Sequence, residues 1–261
     1  MIVLSFGMMK SGSTLAFELC KGVLMAAGHP QRRLPDGLVS PGSRINFLTS
    51  LTVASLGRLA ASVKPGEIIA LKTHLGLSSD VFAFLSAPEN RQTFKVQLNY
   101  RDPREICLSL VDAGASARAA GRPAFAEIET LEQAAHIVSK QLATCRRWGS
   151  IPGALHLAYN DVAFAPDAVI ARICAQLGLP APDEAFTRAA RRHAFEDAFT
   201  QFNKAVRDRY LDELTVRQNE MILATVRGAP RFINSVLAKG DMSFFDYDPG
   251  RERARLAAKA G

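Results

Sequence analysis

The run Ile2-Val3-Leu4-Ser5-Phe6 leads directly into Gly7-Met8-Met9-Lys10-Ser11-Gly12-Ser13-Thr14, and then into a segment whose apolar residues recur with helical spacing. That order reads as a buried strand, a glycine-bearing loop and a helix over Ser13–Ala27. The first N–H groups of a helix have no partner within it and point at one spot, where the helix dipole adds positive potential. A phosphate or sulfate group suits that spot. Gly7 and Gly12 have the spacing of a P-loop, but Ser13 stands where the P-loop lysine belongs, and the lysine sits earlier, at Lys10. The loop is therefore read as an anion cradle with its cation relocated, formed by Lys10, Ser11, Gly12, Ser13 and Thr14.

Further short apolar runs at Ile68–Leu71, Lys95–Tyr100 and Ala154–Tyr159 read as strands. Helical periodicity covers Pro103–Ala120, Leu131–Trp148, Ala165–Leu177, Asp183–Phe195 and Thr215–Val226. Strands alternating with helices predict an α/β fold with a parallel sheet flanked by helices on both faces. One P-loop-like domain over residues 1–261 is expected, with the tail from about 239 unplaced. The proline- and glycine-rich stretch Gly28–Gly42 is a loop or lid candidate.

In such sheets ligands collect at the carboxyl ends of the strands. Arg101 follows the Lys95–Tyr100 strand, and next to it Asp102 and Pro103 have the residue types of an N-cap and a first helical position. Arg101, with Ser109 farther along that helix, is a candidate second anion site. His74 closes Lys72-Thr73-His74 at the end of another strand, where an imidazole near its unperturbed pKa serves as a general base at neutral pH.

The formal net charge of +7 favours anionic partners. The doubled arginines are dispersed and no basic run carries interleaved aromatics, so no nucleic-acid track is expected. The four cysteines are far apart, as buried free thiols of a reducing compartment would be. No apolar stretch is long enough to span a bilayer, and the start of the chain does not read as a signal peptide. A cytoplasmic location without membrane insertion is expected.

Taken together these motifs resemble the cytosolic sulfotransferases, which use 3′-phosphoadenylyl sulfate (PAPS) as sulfuryl donor and release the 3′,5′-bisphosphate PAP. The resemblance runs from about residue 2 to about residue 220. Met9-Lys10-Ser11-Gly12-Ser13-Thr14 is similar to the family's 5′-phosphosulfate loop, and Lys72-Thr73-His74-Leu75 to the segment that carries its catalytic histidine. Arg101-x-Pro103 with Ser109 resembles its 3′-phosphate motif. Tyr159-Asn160-Asp161 and Phe195 resemble its adenine contacts. The stretch from Lys204 to Thr215-Val216-Arg217-Gln218-Asn219-Glu220 is similar to a further family segment. The family has tryptophan where this chain has Leu15, proline where it has Met9 and Gly76, and arginine and glycine where Asn203 and Ala205 flank Lys204.

The resemblance implies sulfuryl transfer to a hydroxyl of a small-molecule acceptor, by in-line displacement with His74 as base. It implies roles for Lys10 and Lys72 in the charge developing at the transferred group. It implies donor contacts from the loop, Arg101, Ser109, Tyr159, Phe195 and Lys204, and it implies no metal. The partly kept dimer motif, with Leu211 in place of lysine, slightly favours a homodimer. Two alternatives stay open: a P-loop small-molecule kinase using ATP, and a nucleotide- or nucleic-acid-binding module without catalysis.

Overall fold

The computed structural model describes residues 1–197 and 206–227. Four strands, β1 (Ile2–Gly7), β2 (Ile69–Thr73), β3 (Phe94–Tyr100) and β4 (Leu155–Ala158), form one sheet in the order β2-β1-β3-β4. All three pairings are parallel. The helices in chain order are α1 (Ser13–Ala26), α2 (Val53–Ser62), α3 (Ser79–Ser86), α4 (Pro103–Ala119), α5 (Leu131–Gly149), α6 (Tyr159–Phe164), α7 (Pro166–Leu177), α8 (Glu184–Arg192), α9 (Tyr210–Glu213) and α10 (Val216–Arg227). The predicted α/β architecture is present. The chain divides into two compact units, Met1–Tyr100 with Thr144–Phe202, and Arg101–Ala143 with Asn203–Gly261.

The first unit holds the sheet. β1 and β2 are buried on both faces along their whole length and β3 at all but Lys95, while the edge strand β4 is only half buried. On one face Val3, Ala70 and Leu157 pack against Leu15, Phe17, Leu19 and Val23 of α1, Ile170 and Ile173 of α7, and Ala190 of α8. On the other face Phe6 stacks on Trp148 of α5 with ring centroids 5.1 Å apart, and Phe94 meets Phe84 of α3 edge-on at 5.8 Å. The parallel register aligns Ser5, Lys72 and Gln97 in one row, and Gly7 with Asn99 in the next. These rows lie on the face that α1 covers, because they share the parity of Val3 and Ala70.

In the second unit Asp102 accepts the Arg104 N–H at 2.8 Å as the N-cap of α4, with Pro103 at its first position. The Arg104 guanidinium is fully buried, bonded to both carboxylate oxygens of Asp102 and to Asn219 Oδ1, and lies 3.6 Å from the centroid of the Tyr210 ring. At the start of α10 Thr215 and Gln218 cap each other reciprocally, which gives that part of the Thr-Val-x-Gln segment a local structural reason.

The structure departs from the sequence expectations at particular places. Strand β2 runs to Thr73 and so includes Lys72. Tyr159 opens α6 rather than closing β4. Helices α2 and α3 interrupt stretches with weak periodicity; Thr52 with Ser55, and Ser78, cap them. After α8 the chain turns through a π-helical segment, His193–Asp197. The loop candidate Gly28–Gly42 lies along the β2 edge. Gln31 bonds the Ile68 carbonyl and the Ala70 N–H, and Asn46 bonds both Arg32 and Leu34 backbone groups. The tail after residue 239 and Lys204 lie outside the described residues.

Two helical glycines give a paired test of packing. A Cβ at Gly22 would sit 2.4 Å from the Ala190 carbonyl oxygen, whereas one at Gly57 would meet nothing within 4 Å. Gly22→Ala is expected to destabilise the protein by about 1–3 kcal/mol through the forced separation of α1 and α8. Gly57→Ala is expected to stabilise it by up to about 1 kcal/mol. Urea denaturation of the two variants checks both signs.

Candidate active site

The loop between β1 and α1 is shaped by two glycines. A Cβ on Gly7 would lie 2.4 Å from Ser13 Cβ and 3.3 Å from Ser11 Oγ, so only glycine lets the loop fold back on its own strand end. Gly12 has φ +80°, and a Cβ there would strike the Tyr159 ring at 2.4 Å. The Tyr159 ring therefore lies against the bare Cα of Gly12, and Tyr159 belongs to the loop's wall. Lys10 also adopts a positive φ of 63°, a conformation that costs a side-chain-bearing residue of order 1 kcal/mol.

Gly12 is the N-cap of α1 and supplies no side-chain cap, and the first turn carries no acidic residue. By contrast α2, α3, α4 and α8 are capped by Thr52, Ser78, Asp102 and Asp183. The N-terminal amides of α1 thus keep the polarity that suits an anion. Ser11 is fully buried, and its hydroxyl lies 2.7 Å from both the Met8 carbonyl and Asn99 Oδ1. Asn99 in turn donates to the Leu157 carbonyl at 3.2 Å. Ser11 braces the loop onto β3 through that network, and its backbone N–H is also turned inward, to the Met8 carbonyl at 3.2 Å, so the amides that follow it are the ones left for a ligand.

Lys72 projects from β2 under the same helix and donates from Nζ to Thr14 Oγ1 at 2.6 Å. Burial lowers its pKa to about 8, against the opposing charge of Glu18. His74 lies just beyond β2, and its Nδ1 is 2.6 Å from the Gly7 carbonyl oxygen. A carbonyl only accepts, so Nδ1 carries the proton and the neutral ring keeps its lone pair on Nε2. Burial and the nearby Lys72 charge push the His74 pKa below its usual value, while the bond to Gly7 works the other way. The ring is therefore neutral at physiological pH.

Several residues that position this ring carried no sequence signal of their own. Trp148 Nε1 donates to the Leu75 carbonyl at 2.9 Å and so pins the residue after His74. The Phe47 ring lies 5.5 Å from the His74 ring. The segment around Phe47 is strapped to β2, with Lys72 N–H donating to the Asn46 carbonyl and Leu48 N–H to the Lys72 carbonyl, both at 2.8 Å. These contacts join residues distant in sequence, which periodicity and spacing do not report.

Phe195 is half-buried on the π turn and packs against the core of α1, α7 and α8. Leu15, in the place of the family's tryptophan, is a buried core residue. In the second unit Arg101 pairs with Glu105, one turn before the buried Ser109 on the same face of α4. Burial raises the Glu105 pKa against the opposing Arg101 charge and the Tyr210 N–H, which donates to Oε1 at 3.0 Å. Among the described residues no cluster of three or more His, Cys, Asp or Glu side chains is arranged to hold a metal, and no helix is long and apolar enough to cross a membrane.

Solved structures share this architecture. Retinol dehydratase in complex with androsterone and the inactive cofactor PAP aligns with a TM-score of 0.56 and 18% identity, over 89% of this chain and 83% of that one. The same enzyme with retinol and PAP aligns at 0.54 and 18%, over 87% and 80%. Mouse sulfotransferase SULT7A1 complexed with PAP aligns at 0.52 and 16%, over 86% and 82%. The chain has the sulfotransferase fold. No protein-family model matches the sequence, and no curated protein matches it.

Within that sulfotransferase fold, the His74 geometry makes a direct expectation. Heteronuclear NMR of the free protein should show His74 as the Nδ1–H tautomer, titrating below the ordinary histidine value of about 6.5. Because the folded pKa is depressed, the unfolded state takes up the proton first, and this residue's contribution to stability falls as pH drops below about 6.5. An Nε2–H tautomer or a raised midpoint would contradict the geometry.

Proposed function

We propose that the chain transfers a sulfuryl group from PAPS to a hydroxyl of a small-molecule acceptor. The observation that carries this reading is the His74 Nδ1 bond to the Gly7 carbonyl, which leaves the base lone pair on Nε2 of a ring tied to the first residue of the anion loop. The PAP complexes of the structural neighbours support the choice of donor, and the androsterone and retinol bound by retinol dehydratase support an acceptor of small-molecule size.

When bound, the donor supplies a sulfuryl group joined to phosphate through a bond whose cleavage leaves negative charge on the nucleotide oxygen. The amides of Gly12, Ser13 and Thr14 hold the phosphate, in the manner of oxyanion sites where one donor is worth roughly 3–4 kcal/mol. Lys10 stabilises the charge on the departing oxygen, and Lys72 orients the sulfuryl oxygens. His74 Nε2 accepts the proton of the acceptor hydroxyl as attack begins. Tyr159 and Phe195 take the adenine, while Arg101, Ser109 and Lys204 take the 3′-phosphate. The chemistry is close to phosphoryl transfer, in which positioning and charge stabilisation dominate. No step in this reading calls on a metal.

An ATP-dependent kinase would need a lysine at position 13, where the chain has Ser13. A binding module without catalysis gives no role to a neutral imidazole held in one tautomer. Calorimetric titration with PAP, ATP and an oligonucleotide separates the three readings, with PAP expected to bind most tightly.

His74→Ala should lower kcat by about 100-fold or more at neutral pH while PAP affinity stays near wild type. Retained kcat would remove the base assignment. Arg101→Ala should weaken PAP far more than its 3′-dephospho analogue, and equal losses would make Arg101 structural. The free enzyme's kcat/KM should fall on the acid side only below about pH 6.5, where His74 becomes charged. It should fall on the alkaline side near pH 8 as Lys72 loses its proton. Lys72→Arg should carry the alkaline limb upward.

A further inference from the structure

Helix α1 is apolar and buried along most of its length, yet Glu18 lies in the middle of it and is only 3% exposed. A carboxylate is costly to bury unless partners satisfy it. Glu18 has two at its Oε2: Lys21 Nζ at 2.8 Å, from the next turn of α1, and His193 Nε2 at 3.3 Å, from the π turn. One turn earlier on the same face of α1 stands Thr14, whose hydroxyl accepts from Lys72. A line of polar groups thus runs along α1 from Lys72 through Thr14 to Glu18, and ends on His193 two residues before Phe195.

We propose that Glu18 is a positioning residue of the donor site: its buried carboxylate ties the π turn that carries Phe195 to α1 through His193, and sets a negative charge one helical turn from the Thr14 hydroxyl that the Lys72 ammonium bonds. The proposal rests on the reading above that Lys72 and Phe195 serve the donor. The clamp itself belongs to the free protein.

Burial raises the Glu18 pKa, but the hydrogen bonds from His193 and Lys21 outweigh it, and the carboxylate stays ionised. The same charge opposes the burial that depresses Lys72. The charged and titratable groups that meet Glu18 are Lys21 from α1 and His193 from the π turn; Lys72 feels the Glu18 charge from β2, and His74 feels that of Lys72. The packing agrees as well. A Cβ on Gly22, one turn past Glu18, would meet the Ala190 carbonyl, so α1 holds the end of α8 by close approach and the π turn that follows it through the His193–Glu18 hydrogen bond. π turns recur at functional sites, where they re-aim side chains relative to a regular helix.

The test reads Lys72 directly. Competitive acetylation of the folded protein as a function of pH, with mass spectrometry of the peptide containing Lys72, gives its titration midpoint without any donor. Wild type is expected near 8. In Glu18→Gln the midpoint should move to lower pH by about half a unit or more, because an opposing charge has gone. Glu18→Asp, which keeps the charge but retracts it, should fall between the two, and it stands as the test if the glutamine variant fails to fold. A midpoint unmoved in the folded variants overturns the Lys72 half of the proposal. His193→Gln, at a partly exposed partner, should weaken PAP several-fold, and unchanged affinity overturns the π-turn half. Wild-type protein that ignores PAP while the Lys72 midpoint shifts as expected would refute the sulfotransferase reading and leave the Lys72 clamp standing.

Discussion

The carboxyl end of β1 has room for no side chain, and the candidate site depends on that. At Gly7 the loop returns so closely that Ser13, Ser11 and Asn99 converge on the space a Cβ would need. This close return brings the amides of α1 to the end of the sheet. It also leaves the Gly7 carbonyl for His74, and that bond sets the histidine tautomer. One missing side chain thus couples a candidate anion cradle to an imidazole whose lone pair lies on a defined nitrogen.

The sheet order explains why this happens at β1. Strand β2 lies on one side of it and β3 on the other, so the order reverses there, and open α/β sheets collect ligands at such a point. From β2 come Lys72 and, just beyond the strand, His74; from β3 comes Asn99, which braces the loop. Buried polar groups of this kind are costly singly; here Lys72 meets the Thr14 hydroxyl, His74 the Gly7 carbonyl, and Asn99 the Ser11 hydroxyl and the Leu157 carbonyl.

Charge is organised locally rather than by the net value. The chain is basic overall, but the groups with shifted pKa around the loop are a buried lysine, a half-buried histidine and a buried glutamate whose shifts have stated partners. Lysine beside histidine disfavours the imidazolium, and glutamate beside lysine favours the ammonium. This ordering keeps a neutral imidazole and a cation side by side, where the ordinary titration of the histidine in water would leave part of it charged near neutral pH.

The sequence alone determined the strand–loop–helix at the N-terminus, the parallel α/β class and the position of Arg101 after a strand, because each rests on local periodicity, caps and glycine spacing. It also singled out Lys10, Lys72, His74 and Tyr159 through motif resemblance, without saying what each touches. Only tertiary structure decided that Ser11 faces inward to Asn99, that Tyr159 opens a helix with its ring against Gly12, and that Trp148 and Phe47 flank the His74 segment. Only tertiary structure joined Glu18 to His193. The reason is physical: turns and caps are decided within a few residues, whereas burial, tautomer and charge pairing depend on groups up to 175 positions apart that meet only when the sheet and its helices have packed.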